Sequence, residues 1–538
     1  MLTNQASLKK EQLIIVMTPA LAIDPKIEVS PIQTAAAIKP ACAITAITTT
    51  GQNTDEVVHL NYKGNFHKGV EHDNITGMVT PADYQLMKVI LNSSSSADYE
   101  LLPQDETRKF TNPQAGKATD IEGPLPSDLS ILSAPAIESA ECATEAVELY
   151  WMALLRDVPF NDFGSDPDVG AAVTELEGLR AAHNAYTGPL EGGVVTRGTL
   201  FRGCAPGDTT GPLISQFLLR DIPYGSLLIN QKQETAAPGQ DYLTSWNEFI
   251  SIQNGHEVAG PGALDPTRRY IRNMRDMAHY VHVDALYEAY LNACLILLGA
   301  GAPLNPGNPY RLSNKQSGFA TFGGPHILSL VCEVATRALK AVWYQKWNVH
   351  RRARPEAFSG LVDRTKRGTA TLLNAANPVL GSDAVSRVKA KYNSYLLPIA
   401  FPEGSPTHPA YGAGHATVAG ACVTVLKAFF DEHAVILNPV VSTSDGDSLM
   451  KYEAPAAEPP LTVGGELNKV AANIAIGRNM AGVHWRSDYT ESFKLGEQVA
   501  IHILLRQRED YFENYHFEFT NFNGQTVRID RAGMTVTP

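Results

Sequence analysis

The sequence predicts a mainly α-helical protein assembled from helical bundles, with only a few short strands. Several long segments repeat apolar residues at positions i, i+3 and i+4, which is the period of an amphipathic helix. No segment of comparable length alternates with the period of two that is typical of strands. Gly- and Pro-rich loops separate the periodic segments, as they do between the helices of a bundle.

The expected helices follow one another along the chain. A short amphipathic helix is expected at 83–91, and longer helices are expected at 137–155, 271–298, 326–347, 412–433, 467–481 and 488–507. Short strands are expected at 194–202 and between residues 517 and 530. No internal repeat is detected, so the helices are expected to form one large body.

The first 55 residues differ in composition from the rest. They are rich in Ala, Thr, Ile and Pro without helical periodicity, which indicates an extended or variable arm at 1–55, ahead of a single helical domain at 56–538. Lys9 and Lys10 precede an apolar stretch at 13–22, which has the outline of a signal peptide. A cleaved signal peptide would favour a secreted or cell-surface protein; the alternative is a loosely ordered arm.

Composition and charge exclude several classes of function. The 538 residues carry 44 Lys and Arg against 56 Asp and Glu, a net charge of -12, so the chain as a whole repels nucleic acid. No apolar run approaches the about 20 residues that a membrane-spanning helix needs. The six cysteines form neither a C-x-x-C pair nor a dense framework, so no zinc site or disulfide scaffold is expected, and a single disulfide remains open.

The first candidate site segment follows the helix expected at 326–347. Lys346 lies at the end of this helix. Pro355 is expected to interrupt helical structure just after Arg354, which places Arg354 in the following loop. The two cations are therefore expected to converge from a helix end and the following loop. The alternative is a solvated basic helix end whose side chains bond the last carbonyls.

The second segment is a Gly-rich turn that opens an apolar helix at Gly414 and His415. Such a turn leaves backbone N–H groups free to bind an anion. The positive end of the helix dipole favours the neutral form of His415, which suits a group that must accept a proton. The alternative is a start of small residues selected for close packing.

The third segment contains Arg478, His484 and Asp488. Asp488 follows His484 by four residues, the spacing that stacks two side chains on one helix face, so the carboxylate is expected to fix the imidazole tautomer. The alternative is that Ser487 or Asp488 simply caps the last helix. Together the three segments provide three cations, a backbone donor and two imidazoles, which suit a tetrahedral oxyanion.

The three motifs, Lys-x7-Arg-Pro, Gly-His and Arg-x5-His-x3-Asp, resemble in this order the vanadium-dependent haloperoxidases and, more distantly, the acid phosphatases that share their site. Segments at 65–69, 280–290, 319–328 and 406–409 resemble the algal bromoperoxidase branch, particularly its red-algal type. The resemblance runs from about residue 60 to the end. It implies a fold of two four-helix bundles.

The resemblance implies a role for each matched residue. His484 would bond vanadium directly, and His415 would be the acid–base residue, with Lys346 polarising bound peroxide. The residues implied to hold vanadate oxygens are Lys346, Arg354, Gly414, Arg478 and His484. The residues implied to lie on the halide side or to contact the vanadate ligands are Trp343, His408, Asp284 and Asp488. Of these, Asp284 is implied to pair with the site arginine. Ala413 replaces the usual Ser. Loss of the serine hydroxyl is expected to weaken binding of the anion by about 1.5 to 3 kcal/mol.

The function implied by the resemblance is oxidation of bromide or iodide by hydrogen peroxide to a hypohalous species that halogenates organic acceptors, with vanadate as cofactor. The presence of His408 makes turnover of chloride less expected than turnover of bromide or iodide. Phosphate is expected to fit the same pocket. One alternative is a phosphomonoesterase with a phosphohistidine on His484, and another is an inactive anion-binding assembly protein. A homo-oligomer from dimer to dodecamer is implied, without nucleic-acid or membrane partners.

Overall fold

The computed structural model describes residues 55–104, 108–258, 260 and 262–538, and the main chain of 22–28. The signal-peptide interpretation of 13–22 lies almost wholly outside these residues. Fourteen helices are described: α1 Asp55–Val58, α2 Pro81–Ile90, α3 Ser96–Tyr99, α4 Ala140–Leu154, α5 Pro167–His183, α6 Trp246–Gln253, α7 Met274–Val283, α8 Glu288–Gly299, α9 Gly324–Tyr344, α10 Pro355–Lys366, α11 Asp383–Tyr392, α12 Gly414–Phe429, α13 Val463–Met480 and α14 Arg486–Gln507.

The described strands are short and form small antiparallel sheets. They are β1 Ala22–Glu28, β2 Ile222–Tyr224, β3 Leu227–Ile229, β4 Ala434–Leu437, β5 Val440–Ser442, β6 Leu449–Lys451, β7 Phe517–Thr520, β8 Thr526–Asp530 and β9 Gly533–Thr537. The pairs are β1–β4, β2–β3 and β5–β6, while β7, β8 and β9 form a three-stranded sheet in that order. The mainly α fold class predicted from the sequence is confirmed.

Helix α12 lies at the centre of the C-terminal half and packs against α9, α13 and α14. Every residue of α12 except His415 is buried, because its sequence is apolar or small apart from Lys427, whose Nζ donates to the Thr520 carbonyl. Close approach to α14 requires glycines: a Cβ at Gly420 would lie 2.3 Å from the Phe493 carbonyl oxygen, and one at Gly496 would lie 1.9 Å from that of Thr417. This packing fixes the start of α12 relative to the start of α14.

The structure corrects several sequence-based boundaries. The helix expected at 271–298 is broken into α7 and α8, because Asp284 takes extended backbone angles (φ -63°, ψ 145°) at the end of α7. The helix expected at 326–347 ends at Tyr344 and continues as a π-helical turn, Gln345–His350. The strand expected at 194–202 is wrong: the chain turns there, and the main-chain N–H groups of Thr199 and Leu200 both bond to the Thr196 carbonyl.

The structure also bears on the expected C-terminal strands, the cysteines and membrane-spanning helices. The strands expected between 517 and 530 are present as β7 and β8, and β9 extends their sheet. Among the described cysteines Cys204 is disulfide-bonded, a possibility that the sequence left open. No single helix in the described part of the chain is long and apolar enough to cross a membrane; the pair α7 and α8 passes by length and composition but is bent by 100°.

Candidate active site

The π-helical turn after α9 places Lys346 in the interior rather than at a solvated helix end. The Lys346 side chain is completely buried, and its Nζ donates to the carbonyl oxygens of Pro409 (2.8 Å) and Ala410 (3.1 Å). A buried ammonium with two carbonyl acceptors and no carboxylate partner is favourable only when an anion binds beside it. The solvated alternative for this segment therefore does not hold.

Arg354 is the N-cap residue of α10, and Pro355 occupies the first helical position. Its buried guanidinium donates to the carbonyl oxygens of His408 (2.9 and 3.0 Å) and Val483 (2.8 Å). Arg354 Nη1 also lies 2.8 Å from His484 Nε2. Arg354 thus joins the loop before α12 to the segment before α14, as the spacing of the first motif predicts.

His484 and Asp488 lie on one face at the start of α14. His484 Nδ1 is 2.8 Å from Asp488 Oδ2, which also accepts from the Trp485 main-chain N–H at 3.0 Å. Because a carboxylate only accepts, Nδ1 carries the proton and the lone pair lies on Nε2. Asp488 therefore orients the His484 imidazole and also caps α14, so the two roles considered for this residue are compatible.

Two further residues stand behind Asp488. Arg352 Nη1 lies 2.8 Å from Asp488 Oδ1, and Arg352 Nη2 lies 3.2 Å from Glu145 Oε2. All three side chains are buried, and burial raises the pKa of Glu145 to about 7 although Arg352 opposes the shift. The sequence motifs did not identify this role; the available signal was that α4, which is mostly buried and apolar, carries the three carboxylates Glu141, Glu145 and Glu148.

The start of α12 lacks a side-chain cap. Ala413 is the N-cap residue and no side chain bonds the first helical amides, while the Ala413 main-chain N–H donates to Ser492 Oγ at 2.7 Å. Gly414 begins the helix within reach of the Trp343 ring, since a Cβ there would lie 3.4 Å from Trp343 Cζ3. This helix start keeps its positive dipole end available to an anion.

His415 is the partly exposed residue of α12, and its Nε2 lies 3.1 Å from Asp284 Oδ1. The expected pairing of Asp284 with the site arginine is not a direct ion pair: the Asp284 charge raises the pKa of Arg478 against the effect of burial, but its direct contact is with His415. Arg478 Nη1 donates to the Val281 carbonyl at 2.6 Å, and among the described residues Asp284 forms no ion pair with an arginine. The break between α7 and α8 turns Asp284 towards His415.

Arg478 belongs to the last turn of α13, and its guanidinium lies 5.3 Å from the centroid of the Phe401 ring. Its Nε is buried without a hydrogen-bond partner. The Trp343 and His408 rings are in tilted contact, with centroids 4.9 Å apart and planes at 46°, and Lys346 Nζ lies 5.7 Å from the Trp343 centroid. The structure thus brings the implied anion and halide residues into one pocket.

Burial and mutual repulsion shape the electrostatics of this pocket. The pKa of Lys346 is held well below its ordinary value by burial and by Arg354 and Arg478. Burial lowers the pKa of Arg354 to about 9 and that of Arg478 to about 10. Burial and these cations also keep the pKa of His484 well below its usual range, so its imidazole is neutral.

The donor set fits an oxyanion. Within the described part of the chain, Lys346, Arg354 and Arg478 have no carboxylate at ion-pair distance, and Arg478 Nε has no hydrogen-bond acceptor. Buried cations without counterions are costly unless an anion binds among them. A multiply charged tetrahedral oxyanion would neutralise all three, and the lone pair on His484 Nε2, to which Arg354 Nη1 donates, lies among the same cations.

The chain was compared with known proteins. A family model described as the VCPO second helical-bundle domain matches residues 328–514. Vanadium-dependent bromoperoxidases from Corallina pilulifera and Corallina officinalis are each 40% identical to the chain, covering 89% and 86% of it and 92% and 90% of their own lengths. That of Ascophyllum nodosum is 36% identical, covering 87% of the chain and 86% of its own length.

Similarity extends to a solved structure. The homohexameric second vanadate-dependent bromoperoxidase of Ascophyllum nodosum superimposes with a TM-score of 0.85 at 29% identity, covering 94% of this chain and 90% of its own. The family match at 328–514 contains all the candidate cations, both site histidines and Asp488, whereas Asp284 comes from outside it.

Proposed function

The chain belongs to the vanadium-dependent bromoperoxidases, and from this premise we propose which of its residues bind vanadate and what each does during oxidation of bromide by hydrogen peroxide. One observation carries the assignment: three buried cations without carboxylate partners surround His484, whose tautomer is fixed with its lone pair on Nε2, where Arg354 Nη1 donates at 2.8 Å. This arrangement provides both a charge match for vanadate and one direct nitrogen ligand.

In this proposal His484 Nε2 bonds to vanadium, and Asp488 holds the ring in the required orientation. The residues that hold the vanadate oxygens are Lys346, Arg354, Arg478 and the main-chain N–H of Gly414. Bound vanadate supplies a Lewis acid that activates hydrogen peroxide without a change in its own oxidation state. Lys346, whose ammonium form is favoured when the anion is bound, would place a positive charge beside the vanadate oxygens.

His415 is the proposed proton carrier. Its Nε2 donates to Asp284 Oδ1, so Nδ1 is the nitrogen that takes up and releases a proton. Partial exposure of the ring lets this proton exchange with water. Burial of the pocket behind His415 excludes bulk water from the cations and strengthens their electrostatic effect.

Trp343 and His408 form the proposed halide side. Arg354 Nη2 donates to His408 Nδ1 at 2.9 Å, which orients the ring against Trp343. The substrates proposed for this side are bromide and iodide rather than chloride, with organic acceptors halogenated by the hypohalous product. Phosphate is proposed as a competing occupant of the vanadate site, because it has the same shape and charge type.

Ala413 is proposed to make the hold on vanadate weaker than it would be with serine. A charge-assisted hydrogen bond contributes about 1.5 to 3 kcal/mol, and the Ala413 methyl group supplies none. The nearby hydroxyl of Ser492 accepts from the Ala413 main-chain N–H. The enzyme is further proposed to be a homo-oligomer, since the structural relative is homohexameric.

The test loads purified protein with vanadate or with phosphate and measures two reactions side by side. Peroxide-dependent bromination of a dye should require vanadate and fall when phosphate competes. Release of a phenol from an aryl phosphate reports the alternative phosphomonoesterase. Cleavage of the phosphate ester without any bromination by the vanadate-loaded protein would refute the proposed function.

A further inference from the structure

The loop between α11 and α12 determines where two of the site cations lie. The main-chain carbonyls of His408 and Pro409 accept from Arg354, and those of Pro409 and Ala410 accept from Lys346. Neither cation has a carboxylate partner in the described part of the chain. Their positions consequently depend on where this loop holds its backbone oxygens.

The beginning of the same loop is held by a buried ion pair far away in the sequence. Lys68 Nζ lies 2.8 Å from Glu356 Oε1 and donates to the carbonyls of Ser405 (2.7 Å) and Glu403 (3.1 Å). Glu356 Oε2 in turn accepts from the Ser405 main-chain N–H, and Gln253 donates to Glu356 Oε1. The Lys68 and Glu356 side chains are 2% and 1% exposed, so water cannot replace these bonds.

Gly404 shows how closely the loop approaches the pair. Its φ is +69°, and a Cβ there would lie 2.3 Å from Glu356 Oε2 and 2.9 Å from Lys68 Nζ. The loop is therefore in direct contact with both charges. Glu356 also lies two residues after Arg354, and its carboxylate opposes the effect of burial on the pKa of that guanidinium.

We propose that Lys68 and Glu356 are positioning residues for the anion pocket: their ion pair fixes the loop at Glu403 and Ser405, so that His408 and Pro409 hold Arg354 and Lys346 in place. The inference rests on the proposed function, because the ligand of the pocket is taken to be vanadate. The segment of Lys68 lies outside the family match at 328–514, so the pair ties the N-terminal region to the site.

Removal of the Lys68 ammonium has two physical consequences. The Ser405 carbonyl loses its buried donor and the Glu403 carbonyl keeps only Arg108, so the loop is held less firmly. The Glu356 carboxylate also loses its partner and lowers the positive potential around Arg354. Both effects weaken binding of an anion.

The test measures equilibrium binding of vanadate to metal-free protein, by dialysis and vanadium analysis, for wild type, Lys68→Met and Glu356→Gln. The matched control is Lys469→Met, which breaks an equally buried Lys–Glu pair, with Glu466, about 13 Å from Arg478 along α13. Thermal unfolding is recorded for all four proteins.

Lys68→Met is expected to raise the vanadate dissociation constant at least tenfold, whereas Lys469→Met lowers the melting temperature but leaves vanadate binding unchanged. Glu356→Gln keeps one acceptor for Lys68 and removes a negative charge beside Arg354, which favours the anion, so its loss of binding is expected to be smaller than that of Lys68→Met; a loss in this variant decides the matter if Lys68→Met does not fold. The inference is overturned if folded Lys68→Met or Glu356→Gln binds vanadate as wild type does. Absence of vanadate binding by wild type would instead refute the proposed function itself.

Discussion

The pocket contains two histidine–carboxylate pairs that differ in origin and in contact with solvent. His484 and Asp488 are four residues apart at the start of α14, with side chains 3% and 0% exposed. His415 and Asp284 are 131 residues apart, and their side chains are 21% and 7% exposed. The first pair is closed to water and the second is open to it.

This difference separates a ligand from a proton carrier. A closed pair surrounded by cations holds its imidazole neutral, with one nitrogen available to bind. An open pair at an uncapped helix start can exchange protons with solvent. The same two side-chain types therefore serve two tasks, and burial and neighbouring charges assign them.

The largest expected effect is that of His484→Ala. Without the direct nitrogen ligand, vanadate affinity should fall by more than about 100-fold and bromination should be lost. Equilibrium dialysis with vanadium analysis measures the binding, and circular dichroism establishes that the fold is retained. Retention of vanadate at wild-type affinity would remove the distinction between the two pairs.

His415→Ala tests the other side of the comparison. Loss of a general acid–base group should reduce kcat by about 10²- to 10⁴-fold, while vanadate binding stays close to that of wild type. Steady-state bromination at saturating vanadate and peroxide gives kcat, and dialysis gives the affinity. A variant that loses binding rather than turnover would show that His415 is the ligand.

Asp488→Asn tests the hydrogen bond that orients His484. Replacement of the carboxylate weakens the hold on His484 Nδ1 and leaves Arg352 with Glu145 as its only carboxylate partner in the described part of the chain, so vanadate affinity should fall about 10- to 100-fold. Asp284→Asn is the matched control, since the same change in the open pair should leave vanadate affinity nearly unchanged. Equal losses in both variants would contradict the separate roles.

Ala413→Ser gives the smallest expected effect, and it is a gain. A serine hydroxyl at the start of α12 adds one hydrogen bond to the anion, so vanadate should bind about tenfold more tightly. Ala413→Gly, which also lacks a hydroxyl, serves as the control and should show no gain. Unchanged affinity in Ala413→Ser would indicate that the anion lies away from this helix start.

The closed pair could be predicted from the sequence, but the open one could not. His484 and Asp488 are joined by local helix geometry, and the four-residue spacing is visible without any structure. The partner of Asp284 depends on a break between α7 and α8 that apolar periodicity conceals, since both helices continue the same pattern. A long-range contact of this kind needs the packed structure.

The same distinction applies to the supports of the site. Lys346, Arg354 and Arg478 were recognisable as candidate anion ligands, because cations clustered near Gly, Pro and His at expected helix ends. Lys68 and Glu356 are 288 residues apart, and no local pattern marks them as a pair. Local motifs therefore predict which groups touch the anion, whereas tertiary packing determines what holds those groups.

The central claim is that vanadate binds to the closed histidine within the three buried cations. A crystal structure of the vanadate-loaded protein tests it most directly. The account predicts vanadium bonded to His484 Nε2, with its oxygens at hydrogen-bond distance from Lys346, Arg354 and Arg478. Vanadium bonded to His415, or bound outside this pocket, would contradict it.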